Sequence, residues 1–296
     1  MRILLTGSTG FVGQTLHAAL TQAGHSVYGG ISPRQTPRNA LQVPMDFARD
    51  TVPDFWLPRL EGMDAVVNAV GVLRDTRARP IEAVHRDTPI ALFEACAQAG
   101  VQRVVQVSAL GIDGSTTAYA RTKRAAEERL WALAAQHKLR PAILRPSVVF
   151  GRGGDSTALF MNLARLPAVL LPGPVLDARV QPVSVHDVAA AVVALLGAPQ
   201  QSACMVECVG PESLTMGQLI ANLRQQLGHG SAWVLRMPPW LTSLSARVGD
   251  AVPPSPWCSE TLAMLGTDNV GDPADLARLL GRPAVHYRQL VATAWR

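Results

Sequence analysis

Two constellations in this sequence have residue types and spacing suited to chemistry. The first is Thr6-Gly7-Ser8-Thr9-Gly10-Phe11-Val12-Gly13, which follows a short apolar run and opens a helical pattern. Glycines at that spacing permit a tight turn and let backbone approach a pyrophosphate closely. The helix that follows offers free N–H groups and a favourable dipole to the same anion. The second is Tyr119-Ala120-Arg121-Thr122-Lys123, where a phenol and an ammonium four residues apart share one helix face. A phenol with an ordinary pKa of about 10 is a poor base at neutral pH, but a neighbouring ammonium favours its ionised form.

Other chemistries are poorly represented. Cys96, Cys204, Cys208 and Cys258 form no CxxC pair, and no histidine stands at zinc-ligand spacing from them. Structural thiols in a reducing cytosol are expected, and no metal site. His85 and His186 are expected to be structural. The net charge is +5 with dispersed arginines, which suits an anionic ligand such as a nucleotide phosphate or an acidic partner surface. Nucleic acid is not expected, since no basic stripe with interleaved aromatics occurs. The longest apolar stretch, Val188–Ala198, is too short to span a bilayer as a helix. A cytoplasmic protein without a transmembrane segment is expected, with room for peripheral membrane or protein-complex contact.

The elements that must position the two constellations alternate along the first 150 residues. Apolar runs rich in Val and Ile occur at Arg2–Thr6, Ser26–Gly30, Ala65–Val72, Arg103–Ala109 and Ala142–Val149. They are apolar on both faces, as parallel strands covered on both sides must be. Helical patterns lie between them: Phe11, Thr15, Ala19 and Ala23 before Gly24; Ile81–Ala99 before Gly100; and Ala118–His137 before Pro141. Strands alternating with helices predict an α/β fold, a doubly wound parallel sheet of the Rossmann kind. After Phe150 the texture changes. Residues 1–150 and about 183–198 are expected to form the dinucleotide-binding unit, and about 151–182 and 199–296 a smaller C-terminal substrate or interaction unit. The Trp-, Leu-, Met- and Pro-rich segment Trp233–Leu244 is expected to pack over the substrate cleft or into the small unit's core; a lipid- or partner-facing surface is the alternative.

The nucleotide loop, with its TGxxGxxG spacing, resembles that of the extended and atypical branches of the short-chain dehydrogenase/reductase superfamily, the NAD-dependent epimerase/dehydratase-like proteins. Further segments carry the likeness over nearly the whole chain. Asn68-Ala69-Val70-Gly71 resembles the family's NAAG turn beside the cofactor. Arg103–Ser108 resembles its fifth strand, and Tyr119…Lys123 its YxxxK motif. Leu144-Arg145-Pro146-Ser147-Val148-Val149-Phe150-Gly151 resembles the segment near the nicotinamide. Gln181–Val188 and Val209–Met216 resemble segments of extended members. Thr261–Val270, with Met264-Leu265 and Asp268-Asn269-Val270, is similar to the subgroup related to the NDUFA-nine accessory subunit of respiratory complex I.

The resemblance implies a nicotinamide cofactor held by Gly7, Ser8, Thr9, Gly10, Phe11, Val12, Gly13, Asn68, Ala69, Val70, Gly71, Val107, Tyr119, Lys123, Pro146 and Val149, with Asp46-Phe47 on the adenine side. NAD-specific members usually end the second strand with a carboxylate that binds the ribose. Here Ser32 and Arg34 stand in that stretch, and a guanidinium suits a 2′-phosphate, so NADP(H) is expected over NAD(H). The resemblance makes Tyr119 the acid/base, Lys123 its electrostatic partner and ribose ligand, and Ser108 the third catalytic candidate. Where the carbonyl-binding hydroxyl usually falls, the chain has Ala109 and Leu110; Ser115, Thr116 or Thr117 are the candidates to replace it. The expected activity is hydride exchange between the nicotinamide and a secondary alcohol or carbonyl of an unknown small-molecule substrate. The alternative is a non-catalytic, nucleotide-binding accessory or sensor subunit.

Overall fold

The computed structural model describes residues 1–73, 75–198, 203–251 and 259–294. Cys258, Pro253, Pro254 and Pro256 lie outside the described residues. In chain order the first part comprises β1 (Arg2–Thr6), α1 (Phe11–Gln22), β2 (Ser26–Ile31), β3 (Gln42–Pro44), β4 (Ala65–Asn68), α2 (Thr88–Ala99), β5 (Arg103–Val107), α3 (Ala118–Ala135) and β6 (Arg140–Pro146). Then come β7 (Val149–Phe150), α4 (Asp155–Arg165), β8 (Ala168–Pro172), α5 (Gly173–Asp177), β9 (Arg179–Val180), β10 (Val183–Ser184), α6 (Val185–Gly197) and β11 (Cys204–Cys208). The remainder holds β12 (Leu214–Thr215), α7 (Met216–Gln226), β13 (Trp233–Met237), α8 (Pro239–Ala251), α9 (Ser259–Leu265), α10 (Pro273–Leu280) and α11 (Leu290–Ala294).

Seven strands form one parallel sheet in the order β11-β6-β5-β4-β1-β2-β3. Successive side chains on a strand point to opposite faces, and both faces here are buried. Ile3, Leu5, Val67, Val105 and Leu144 face α1 and α6 through Leu16, Leu20, Val188 and Val192. Leu4, Val66, Val104 and Ile143 face α2 and α3 through Leu92, Phe93, Ala126 and Leu130, with Trp56 closing that layer. The sheet reverses its order at β1, flanked by β4 and β2, and crevices at such switch points lie beyond the carboxyl ends of the strands.

Local signals set the ends of the helices. Gly100 ends α2 in the left-handed conformation at φ 75°. Thr117 caps α3 by accepting from the Ala120 N–H, which fixes where Tyr119 and Lys123 emerge. A π-helical turn over Ala83–Asp87 precedes α2 and turns His85 inward.

A second core, with Phe150, Phe160, Leu171, Leu219, Leu223 and Leu290, gathers α4, β8 and α7. Two findings differ from the sequence-based division. Cys204–Cys208, assigned above to the smaller unit, forms the sheet's edge strand beside β6. Leu276 of α10 is buried with Ile3 and Leu5 in the sheet's own core. The run Cys-Met-Val-Glu-Cys is too short and mixed to announce a strand by pattern; its pairing with β6 is what defines it. The fourth strand also ends at Asn68 rather than Val72, because residues 69–72 turn away to line a cleft.

Candidate functional site

The glycine loop leaves β1 at Thr6 and enters α1 at Phe11. Gly7 has φ +69°, a backbone conformation that side chains disfavour. The Gly10 N–H donates to the Gly7 carbonyl at 2.9 Å, which tightens the turn. A Cβ on Gly13 would sit 1.9 Å from the Gly7 carbonyl oxygen, so only glycine lets the helix meet the loop. No side chain caps the start of α1, so its first N–H groups remain available to an anion. Ser8 is used internally: its hydroxyl donates to the Gly30 carbonyl at 2.8 Å and ties the loop to β2.

A cleft of about 860 Å³ opens beside this loop. Of the residues proposed from sequence to hold a dinucleotide, Gly7, Thr9, Gly10, Ser32, Arg34, Asp46, Phe47, Ala69, Val70 and Gly71 line it. Others stand behind the wall. The Phe11 ring lies against Gly151 and Gly154, where a Cβ on Gly154 would come within 2.8 Å of it. Val12 packs against the sheet core. Val149 pairs with Val183, and the Pro146 carbonyl accepts from the Leu110 N–H.

The cleft also has lining residues that sequence reasoning missed, among them Met45, Arg49, Arg77 and Arg79. Arg77 and Arg79 lie on the loop after β4, where Thr76 and Arg79 form a short antiparallel bridge. Two arginines in a loop directly following a cofactor-side turn were the signal available. Together with Arg34, they make the cleft strongly cationic, offset by Asp46. These residues fit a phosphorylated dinucleotide: glycines where backbone must approach, bare helix N–H groups, and guanidinium groups at the outer end.

A buried polar network anchors the inner end. Thr6 Oγ1 donates to Asn68 Oδ1 at 2.5 Å, and Asn68 Nδ2 donates to Gln106 Oε1 at 2.8 Å. Gln106 Nε2 donates to the Val107 carbonyl at 3.3 Å, and Lys123 Nζ donates to the same oxygen at 3.2 Å. Asn68, proposed as a cofactor ligand, is thus fully buried and committed to this network. Lys123 is 4% exposed. Burial lowers its pKa to about 8, and the Glu127 carboxylate opposes that shift. Its Nζ is 5.9 Å from the centroid of the Tyr119 ring. Burial pushes the Tyr119 phenol up to about 12. At neutral pH the phenol therefore holds its proton and the ammonium is charged, which arms the pair as a proton donor.

His85 braces this pair. Its ring meets the Tyr119 ring edge-on, with centroids 5.1 Å apart and planes at 88°. Nε2 accepts from the Val72 N–H at 2.9 Å, so the neutral ring carries its proton on Nδ1, 3.3 Å from Thr122 Oγ1. The imidazole thereby joins the cleft-lining turn after β4 to the helix bearing Tyr119 and Lys123. A Cβ on Gly71 would lie 3.7 Å from Lys123 Nζ and 3.8 Å from His85 Nε2, ordinary contact distances that set the cleft-lining turn directly beside both side chains.

Ser108 is 4% exposed, and its hydroxyl makes no hydrogen bond. Beyond it, the positions of Ala109 and Leu110 are met by Asn269, which comes from the segment between α9 and α10. Its Nδ2 donates to the Leu110 carbonyl at 3.0 Å, and its own carbonyl accepts from Ser147 Oγ at 3.1 Å. The Asn269 Oδ1 is buried without a partner. The motif containing Asn269 was visible in sequence, but nothing local showed that it folds back onto the β5–α3 loop. Ser115 and Thr117 bond each other at the start of α3.

Comparisons with known proteins accord with this geometry. A model of the NAD dependent epimerase/dehydratase family matches residues 3–206. A UDP-glucose 4-epimerase of Vibrio cholerae is 25% identical over 273 residues, covering 83% of this chain and 81% of that protein. A ceramide reductase of Caulobacter vibrioides is 26% identical over 257 residues, covering 80% and 73%. Among solved structures, the UDP-glucose 4-epimerase of Thermus thermophilus in complex with NAD superposes with a TM-score of 0.72 at 20% identity, covering 100% of this chain and 99% of that one.

Proposed function

The chain belongs to the NAD dependent epimerase/dehydratase family, in the extended short-chain dehydrogenase/reductase superfamily, and from that premise we propose that it exchanges hydride between NADP(H) and a secondary alcohol or carbonyl. An NAD(P)-dependent enzyme of oxidoreductase or epimerase-like type is what the family and its relatives support. The nicotinamide ring, when bound, supplies the acceptor or donor of the hydride. The protein's residues do the rest. The glycine loop and the first turn of α1 hold the pyrophosphate. Ser32 and Arg34 take the 2′-phosphate in place of a ribose-binding carboxylate. Tyr119 gives a proton to the substrate oxygen as a carbonyl is reduced and takes it back in the other direction, with Lys123 stabilising the phenolate. Ser108 offers a buried hydroxyl beside them. The smaller unit, with α4 and α7, forms the substrate side.

The observation that carries this reading is the buried Lys123 ammonium, held at the Val107 carbonyl 5.9 Å from the Tyr119 ring. Tyr119→Phe tests it. Turnover of a responsive substrate, found by following NADPH absorbance across a panel of carbonyls and alcohols, should fall at least about 10²-fold while dinucleotide affinity barely changes. Turnover that survives the substitution removes Tyr119 from the chemistry.

One observation favours a second reading. No hydroxyl side chain stands at Ala109 or Leu110, and a carboxamide from the C-terminal segment occupies that corner instead. The Thr261–Val270 motif, similar to the complex I accessory-subunit subgroup, supplies that carboxamide. On this reading the protein binds its nucleotide for stability or sensing within a larger complex. Tight NADPH binding with no turnover across the panel would select it. In either role the free Cys96, Cys204 and Cys208 fit a reducing, cytoplasmic setting.

A further inference from the structure

The cleft beside the glycine loop has two walls, which rise on opposite sides of β1. The wall on the β2 side carries Ser32 and Arg34. The wall on the β4 side begins with the turn after Asn68, which packs directly on the loop: a Cβ on Gly7 would lie 3.0 Å from the Ala69 carbonyl carbon and oxygen. It continues to a second turn, Thr76–Arg79, whose residues Arg77, Ala78 and Arg79 line the cleft and are exposed. That turn is closed by its own bonds. The Arg79 N–H donates to the Thr76 carbonyl at 3.0 Å and to Thr76 Oγ1 at 3.0 Å, and the Thr76 N–H donates back to the Arg79 carbonyl at 3.3 Å. Two guanidinium groups are thus presented to the cleft from one short, self-bonded piece of backbone.

The carboxylates around this turn are bonded elsewhere. Asp75 Oδ1 accepts from the Ile81 N–H at 2.8 Å, and Glu82 and Asp87 both pair with Arg86. On the opposite wall Asp46 accepts from the Ala48 N–H and lies 3.9 Å from Arg49. Among the described residues Arg34, Arg77 and Arg79 form no ion pair. The floor of the cleft offers little positive charge of its own. Thr6–Gly13 contains no lysine or arginine, and the start of α1 supplies about half an elementary charge. Each phosphorus of a dinucleotide pyrophosphate is negatively charged at neutral pH, so the helix end alone leaves most of that charge unmatched. Guanidinium groups, which meet phosphate oxygens with paired N–H donors, match it from the wall that adjoins the loop.

We propose that the Thr76–Arg79 turn is a clamp on the dinucleotide pyrophosphate: Arg77 and Arg79 close on it from the β4 side, while Arg34 holds the 2′-phosphate from the β2 side. The proposal rests on the dinucleotide reading of the cleft, and the two fail separately in calorimetric titration of NADPH and NADH. Arg77→Ala with Arg79→Ala should weaken both dinucleotides at least roughly tenfold, as loss of charge-assisted hydrogen bonds does. The ratio of NADPH to NADH affinity should stay as in the wild type. Added potassium chloride should weaken binding by the wild type more than by the double variant, since exposed charges are screened. Urea unfolding of the double variant should match the wild type, because backbone and Thr76 close the turn. Trypsin supplies a reading on the wild type alone: saturating NADPH should slow cleavage of the exposed Arg77–Ala78 bond. Equal affinities in wild type and double variant overturn the clamp and leave the dinucleotide reading standing. A loss confined to NADPH also overturns it and places the two arginines at the 2′-phosphate, and so does cleavage at Arg77 that saturating NADPH does not slow. A wild type that binds neither dinucleotide removes the reading of the cleft itself, and the clamp with it.

Discussion

His85 is 1% exposed, and its pKa is lowered from 6.5 to about 2, first by burial and then by the Lys123 ammonium. A proton added at Nε2 would break the bond from the Val72 N–H and place a second cation beside Lys123. The unfolded chain takes up this proton as pH falls through about 6.5, and the folded chain does not until about 2. The unfolded state thus binds more protons throughout that window, so stability is present above it and is lost as pH falls. One unit below the unfolded pKa the loss reaches about 1.4 kcal/mol, and it grows by a similar amount with each further unit. His85→Gln retains an amide that can accept from Val72 and donate to Thr122 but does not titrate. Urea unfolding is measured for both proteins near neutrality and one unit below the imidazole pKa. The wild type should lose about 1.4 kcal/mol more than the variant over that interval. Equal losses would refute a neutral, buried imidazole as the brace between the cleft turn and α3.

Other outcomes follow from the same site. Lys123, with its pKa lowered to about 8, must be charged to stabilise the phenolate, so kcat/KM should fall as pH rises through about 8; a profile flat well above that pH would contradict the assignment. Arg145 is buried against Glu127, with Nε 3.0 Å from Oε1, and also reaches Asp113 at 2.5 Å. Arg145→Met should cost about 3–5 kcal/mol in urea unfolding by stranding the Glu127 carboxylate. Adding Glu127→Leu should recover most of that, and failure to do so would mean that packing rather than charge sets the cost.

The sheet was legible because its strands are apolar on both faces and punctuated by glycines, and periodicity carries that information. The turn of the glycine loop was legible because it is made by residues adjacent in sequence, Gly7, Gly10 and Gly13. Ser8, Phe11, Val12 and Asn68 show the limit: each belongs to the motif, yet each is committed to internal packing or hydrogen bonds that a one-dimensional pattern does not distinguish from ligand contact. Asn269 and β11 were invisible as site and sheet components because their meaning lies in long-range contacts, to Leu110 and to β6. The segment Trp233–Leu244, expected over the cleft or in the small unit's core, leaves Trp233, Trp240 and Leu244 exposed, while Ala246 of α8 is buried. In sequence α8 reads like any amphipathic helix. Periodicity identifies an apolar face but not which way it turns, and here the small residues turn inward.

The account rests on a dinucleotide bound at the glycine loop with its 2′-phosphate on Arg34. Calorimetric titration of NADPH and NADH into wild type, Gly10→Val and Arg34→Ala tests this most directly. Gly10 lines the cleft, and the closest atom to a Cβ there is the Gly7 carbonyl oxygen at 3.3 Å, a tight contact that the loop must yield to by a few tenths of an ångström, so the fold of the variant is checked by its urea unfolding before its valine is read as filling the pyrophosphate's space. The wild type should bind NADPH more tightly than NADH, Arg34→Ala should remove most of that preference, roughly tenfold for one charge-assisted contact, and Gly10→Val should bind neither. Equal affinity in wild type and Gly10→Val, or NADH favoured by the wild type, would contradict the account.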